Sequence, residues 1–135
     1  MTLARLSPGV ALQRELYERL SAEITDISTY DVVPQGTAMP YISIGEDFVI
    51  RDDTKDITGE IATLTIHAWS NKAGKKEVKT LTGRIEAAVF KSNLDLSGDG
   101  FQVLETALEE KQHFTDEDGK AQHGIVKVSF KIQTN

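Results

Sequence analysis

The sequence predicts an α+β domain: a two-layer sandwich in which a four-stranded antiparallel sheet carries two helices on one face, in the chain order αββαββ. Three observations predict it. Two segments repeat apolar residues at helical spacing, and two segments in the first half alternate at strand spacing. Residues 101–133 then read as one long hairpin whose arms fit each other.

Ser7 before Pro8 is a helix start, a hydroxyl cap followed by proline at the first helical position. Leu12, Leu16, Leu20 and Ile24 recur at one-turn spacing, so a helix is predicted over 8–25. Residues 26–39 form an irregular connector leading to Pro40. Tyr41–Phe48 alternates as a strand, with Ile42 and Ile44 on one side. Glu46–Gly59 is charged and turn-rich, and 47–58 within it reads as a flexible loop. Gly59–Trp69 alternates again: Ala62, Leu64, Ile66 and Ala68 on one side, Thr63, Thr65, His67 and Trp69 on the other. Asn71–Gly74 breaks the strand, and Val78, Leu81, Ile85 and Val89 mark a second helix over 74–91. Asn93–Gly100 is a turn region.

In the closing hairpin, one register sets Leu104 against Ile132, Thr106 against Phe130 and Leu108 against Val128. The same register sets Glu105 against Lys131 and Glu109 against Lys127 on the other face. A slip of one residue would mix core and solvent positions throughout. Glu117, Asp118 and Gly119 form a three-residue turn with glycine at the left-handed position. The predicted core is Leu12, Leu16, Leu20, Ile24, Ile42, Ile44, Leu64, Ile66, Val78, Leu81, Ile85, Leu104, Leu108, Val126, Val128, Phe130 and Ile132. The second sheet face has no layer to cover it and carries Tyr41, Ser43, Thr63, Thr65, His67, Trp69, Val103 and Ala107. Antiparallel sheets tolerate one wet face, but Tyr41, Trp69 and Val103 suit a contact surface better than water.

The 135 residues fit a single domain over 1–135. There is no cysteine, which excludes disulfides and thiolate chemistry. No basic-then-apolar leader and no apolar run of about 20 residues is present, so neither a signal peptide nor a membrane helix is expected. A reducing, cytosolic setting is the default expectation. The net charge of −6 opposes tight binding to a phosphate backbone. Acids gather in two places where strands turn: Glu46, Asp47, Asp52, Asp53, Asp56 and Glu60, and again Glu105, Glu109, Glu110, Asp116, Glu117 and Asp118.

No arrangement for catalysis stands out, and neither an enzyme nor a cofactor is expected. His113 and His123 face each other in the predicted register, with Asp116 or Asp118 near, which is a conceivable metal pair; two histidines near a turn are more often incidental, and no metal site is assigned. The Asp116–Gly119 tip lacks the ligand alternation and closing glutamate of a calcium loop. Gly98-Asp99-Gly100 leads into a strand, not into a helix N-terminus that would cradle phosphate.

A series of short matches runs through the chain in order. They are Ala11-Leu12-Gln13 onward to Leu20, Tyr30-Asp31, Val33-Pro34-Gln35-Gly36, Pro40-Tyr41-Ile42, Ile44-Gly45-Glu46, Leu64 to Ser70, Gly74, and His123-Gly124. Together with the helix and strand layout, this resembles the tail completion proteins of long-tailed bacteriophages and prophages, a family that includes tail proteins of gene-transfer particles. The resemblance implies a virion assembly protein and no catalytic residues. It implies a homo-oligomeric ring, usually a hexamer, at the head-proximal end of the tail tube. The implied partners are the tail tube protein and the head connector or stopper proteins, with double-stranded DNA passing through the lumen without specific binding. The implied place is the head–tail junction, reached from the host cytoplasm during assembly, with no membrane. On this reading Tyr41, Thr63, Thr65, His67, Trp69 and Val103 are expected at an oligomer or partner interface. Asp47, Asp52, Asp53, Asp56, Asp116, Glu117 and Asp118 are expected in loops that face the DNA channel or dock on a partner. The alternative is a small non-enzymatic protein-binding module that associates through its open sheet face.

Overall fold

The structure is a computed structural model and describes residues 7–134. Ser7 caps helix α1 (Pro8–Glu23) as its sequence dictates: the hydroxyl accepts the Val10 N–H at 3.3 Å. Strands β1 (Thr29–Tyr30), β2 (Tyr41–Arg51) and β3 (Gly59–Ser70) follow, then helix α2 (Lys76–Val89), a short 3-10 turn at Ser97–Asp99, and strands β4 (Phe101–Thr115) and β5 (Gln122–Thr134).

The sheet is mixed and five-stranded, in the order β1-β2-β3-β5-β4, where four antiparallel strands are predicted. The addition is β1, which runs parallel to β2 and sets Thr29 beside Ile42 and Tyr30 beside Ser43. Two residues leave no periodic signal in a sequence, which is why the segment reads as connector. The remaining neighbours are antiparallel. Both helices lie on one face, α2 over β5 and β3, with α1 alongside α2 and reaching β1. An added Cβ on Gly124 of β5 would lie 2.6 Å from Thr82 Cγ2 and 3.0 Å from Val78 Cγ2, so α2 rests almost directly on that strand.

The apolar side chains of both layers meet in one core. Leu12, Leu16, Leu20, Ile42, Ile66, Leu81, Ile85 and Phe130 have essentially no exposed surface. Burying a side chain of this size stabilises by roughly 1.5–3 kcal/mol. Polar links tie the helices at their ends. Arg19 donates to the Ala88 and Ser92 carbonyls at 3.1 and 2.9 Å, neutralising the C-terminal end of α2. Arg84 grips Asp26 with two hydrogen bonds of 3.0 and 2.5 Å.

The long hairpin keeps its predicted register only in the middle. Glu105 faces Lys131, Thr106 faces Phe130 and Leu108 faces Val128. Beyond them Val103 faces Ile132 and Glu110 faces Lys127, so Leu104 and Glu109 are extra residues at two β-bulges. Each bulge turns the following side chains to the other face. Val103 is therefore in the core, 5% exposed, and not on the open face. Leu104 is 43% exposed and Leu108, on the outermost strand, is 38% exposed, so neither is the core residue the pattern predicts.

Strand β2 is longer than its alternation suggests. A bulge between Ile44 and Asp47 resets its phase, and pairing continues to Arg51 opposite Glu60. The β2–β3 connection is thereby reduced to 52–58. It is held by Asp52 N–H to Gly59 C=O at 2.9 Å and by Thr54 N–H to Ile57 C=O at 2.8 Å. At the other hairpin Asp116 N–H meets Ala121 C=O at 2.8 Å, so the turn encloses 117–120, one residue more than predicted. Gly119 has φ 73°, the left-handed conformation expected there.

Candidate functional site

Strand pairing decides which side chains share the uncovered face. Tyr41 is level with Trp69, Trp69 with His123, and His123 with Phe114. With Tyr30 on β1, one row of rings crosses all five strands. Tyr30 meets Tyr41 edge-on at 6.0 Å between centroids, and Tyr41 lies 6.2 Å from Trp69. His123 stacks on Trp69 at 3.7 Å, and Phe114 leans on His123 at 4.8 Å. Aromatic pairs of this kind add about 0.5–1.5 kcal/mol each beyond area burial. The row does part of the work of a missing layer: His123 is only 8% exposed although no helix covers it.

A polar chain runs beside the row. His67 Nε2 lies 2.9 Å from Glu46 Oε1, and His67 Nδ1 lies 2.7 Å from His123 Nε2. Glu46 is acceptor only, so His67 Nε2 carries the proton. In neutral His67 the Nδ1 is then an acceptor and His123 Nε2 donates to it. His123 Nδ1 is left buried with no hydrogen-bond partner among the described residues. The bond from His67 holds the Glu46 carboxyl below its usual range. Burial, and then the nearby charge of His67, push the His123 imidazole down. Gly45 is what lets His67 lie flat: a Cβ there would come within 2.5 Å of the imidazole. Further along the face, Glu46, Asp47, Phe48, Thr63, Thr65, Glu109 and Lys127 line a shallow groove of about 350 Å3.

The two acidic turns lie at opposite ends of the sheet. The 52–58 connection adjoins Gly59, which is level with Gln133, while the 116–121 turn adjoins Gln122, which is level with Ser70. The 12 residues of β3 between those ends span about 40 Å at strand rise. Asp53 accepts the Gly59 N–H at 3.0 Å and an Arg51 hydrogen bond at 2.5 Å, and both lower its carboxyl. Asp118 accepts the Lys120 and Ala121 N–H groups at 2.8 and 2.9 Å, which lowers its carboxyl too. Asp52 faces Lys131 at 3.7 Å.

Of the residues predicted for an interface, Tyr41, Thr63, Thr65, His67 and Trp69 share the open face, while Val103 lies behind the sheet. Thr65 is 5% exposed, screened by its neighbours. Of the predicted loop acids, Asp52, Asp53 and Asp56 sit in one connection, and Asp116, Glu117 and Asp118 at the opposite turn. Asp47 is in neither: it is paired within β2 opposite Leu64. His113 and His123 do not meet. The bulge at Glu109 puts His113 level with Gly124, on the helix side, where its Nε2 lies 2.7 Å from Thr82 Oγ1. Among the described residues no group of three or more His, Cys, Asp or Glu is placed to hold a metal ion. Sequence reasoning missed Tyr30, Glu46, Phe114 and His123 as members of the open face. Pairing β3 with β5 would have brought His123 to Trp69, but consecutive strands gave no hint that the last strand enters the middle of the sheet.

Comparison with known proteins adds to this geometry. The family described as tail completion protein gp17 matches residues 11–133. Tail completion protein gp17 of Bacillus phage SPP1 is 34% identical over 97 residues, covering 71% of this chain and 69% of that protein. The solved structure of bacteriophage SPP1 gp17 matches with a TM-score of 0.60 at 28% identity, over 90% of this chain and 88% of that one. A chain from the virion of a native gene transfer agent particle matches with a TM-score of 0.65, over 93% of this chain and 96% of that one. Its 18% identity speaks for the shared fold.

Proposed function

The chain belongs to the tail completion protein gp17 family, a family of structural phage tail proteins, and on that premise we propose that copies of it form a ring, six to a turn, at the head-proximal end of a tail tube. The ring caps the finished tube, meets the head connector or stopper proteins on its other rim, and lets duplex DNA pass. Assembly takes place in the host cytoplasm, and the protein ends at the head–tail junction of the virion.

The observation that carries this reading is the sheet itself. One face is sealed by helices, the other offers Tyr41, Trp69 and the Glu46–His67–His123 chain, and unlike acidic tips stand at its two ends. A bore for DNA must not grip phosphates, and a net charge of −6 suits a lining that repels the backbone. One acidic tip, 52–58 or 116–118, faces the lumen, and the other docks on tube or connector. Thr63, Thr65, His67, Tyr41 and Trp69 form a contact surface within the assembly, and the 52–58 connection docks against its partner.

Electron cryomicroscopy of the assembled head–tail junction tests this. The expected result is a ring of this chain between tube and connector with one acidic tip inward. A junction without this polypeptide would overturn the reading. A basic bore with both acidic tips in bulk solvent would overturn the assignment of the tips.

A further inference from the structure

The ring reading leaves open which surfaces of one copy meet the next, and the sheet's topology answers this. A closed ring needs a heterologous contact, in which one patch binds a different patch on the far side of its neighbour. The open face is a single patch. Pairing it with itself gives a two-fold dimer and stops there. Its polar groups are also largely paired already: Glu46 with His67, His67 with His123, Ser129 with Glu109 at 2.6 Å, and Trp69 Nε1 with Ser43 Oγ at 3.3 Å.

The sheet's two edges lie on opposite sides of the body, and both have open stretches. On one side, β1 covers β2 only at Ile42 and Ser43, and among the described residues no strand pairs the outer edge of β2 beyond them. On the other side β4 is the last strand. Unpaired edges present rows of N–H and C=O groups that readily add another strand. Strand β4 runs opposite to β2, because each of the pairs β2–β3, β3–β5 and β5–β4 is antiparallel. A copy turned about a ring axis that runs roughly along the strands therefore brings its β2 to β4 in antiparallel orientation, and the acidic turns then stand at the two rims, one at the mouth of the lumen and the other against tube or connector.

The heights match as well. Following the pairings across the sheet, Asp47 is level with Leu64, Val128 and Leu108. Phe48 is level with Ala107, Val49 with Thr106, and Ile50 with Glu105. The 105–108 segment is the regular stretch between the two bulges of β4, and 47–51 is the regular stretch after the bulge of β2. The same segments carry much of the exposed apolar surface of the chain: Phe48 is 67% exposed, Ile50 47%, Val49 42%, with Leu104 and Leu108 at the β4 edge. Phe48 would lie beside small Ala107, Val49 beside Thr106, and Ile50 beside the bulged Leu104.

We propose that neighbouring copies join edge to edge, the 105–108 segment of β4 in one copy pairing antiparallel with the 47–50 segment of β2 in the next, Phe48 opposite Ala107. This rests on the ring reading above. The bulges at Leu104 and Glu109 restrict the joint to one short register and deny the rest of β4 to chance partners.

The test uses cysteine pairs, which report cleanly because the chain has no cysteine of its own. Tails are assembled in cells that supply the F48C/A107C variant, oxidised, and run on a non-reducing gel. The I50C/E105C variant serves as a second pair, and thermal melting of each purified variant checks that it folds. The expected result is a ladder of linked multimers from the double variants, with none from either single variant. Tails that contain the folded variants but give no ladder, while T63C alone gives linked copies, would overturn edge pairing and leave the ring standing. Finished tails that lack the protein altogether would overturn both.

Discussion

The two faces of the sheet share the same five strands but keep their side chains from water by different means. On the covered face, Phe130, Ile66 and Ile42 are sealed by α1 and α2 and have no exposed surface. On the open face, His123 is almost as buried, yet the groups that bury it are rings on adjacent strands. Burial by a second layer is paid for by many apolar contacts and resists local change. Burial by neighbouring side chains depends on a few partners that can swing away. The covered face therefore governs stability, and the open face is free to serve contact.

The strongest way to break this contrast is to empty one position on each side. Phe130→Ala leaves a cavity between sheet and helices and is expected to cost about 3–5 kcal/mol in denaturant unfolding. Trp69→Ala, on the half-buried row, is expected to cost about 1–2 kcal/mol, because no helix covers the indole and the rings beside it can close over part of the gap. Equal losses would mean that the open face is as integral to the fold as the core.

Two glycines sharpen the contrast. Gly124→Ala forces a Cβ against Thr82 and Val78 of α2 and is expected to cost about 1–3 kcal/mol by overpacking. Gly45→Ala meets chiefly the His67 ring, which can rotate outward, with the Thr65 carbonyl oxygen at 3.1 Å. The smaller loss expected there should come with a break in the Glu46–His67 bond, visible as a changed imidazole resonance in NMR. An equal or larger loss at Gly45 would show that neither the His67 ring nor the Thr65 backbone yields.

Acid titration reaches both faces. His113, under α2, is pushed below the ordinary 6.5 by burial and by Lys79 and Lys111, and His123 is pushed below it by burial and by His67. A lowered folded value means that the unfolded chain binds protons first. The stability these residues contribute is present above about 6.5 and drains as pH falls below it toward the folded values. Melting temperature should therefore decline from pH 8 to 5, and H113Q and H123F should each flatten part of the slope. Glu46 has the carboxylate form of the same linkage, lost at lower pH as its depressed folded value is crossed. The smallest effect is expected from Glu46→Gln, under about 1 kcal/mol for a pair whose carboxylate is 72% exposed.

Much of the fold was legible because its signals are local. The serine–proline start and four-residue leucine spacing of α1, the alternation of β3 and the left-handed Gly119 each need only a few neighbouring residues. The register of β4 against β5 was legible only between its bulges. The warning was in the sequence: Phe101 and Val103 point inward in one phase, Thr106 and Leu108 in the other, and His113 in the first again. A single register cannot serve all three, and each change of phase marks an inserted residue. The open face was half legible. Tyr41, Thr63, Thr65, His67 and Trp69 follow from two consecutive strands, but Phe114 and His123 join them through a strand order that no local pattern encodes. Tyr30 was hidden by the brevity of β1.

The acidic turns, about 40 Å apart at strand rise, are not copies of each other. The 52–58 turn stands next to Phe48, Val49, Ile50 and exposed Ile57, a greasy margin. Among the described residues the 116–121 turn has no such fringe, and its Asp118 carboxylate ties the Lys120 and Ala121 N–H groups of its own backbone. Any stack built from this slab therefore has a top that differs from its bottom, and a structure that must tell the outgoing end of a pipe from the incoming one gains its sense of direction from that asymmetry.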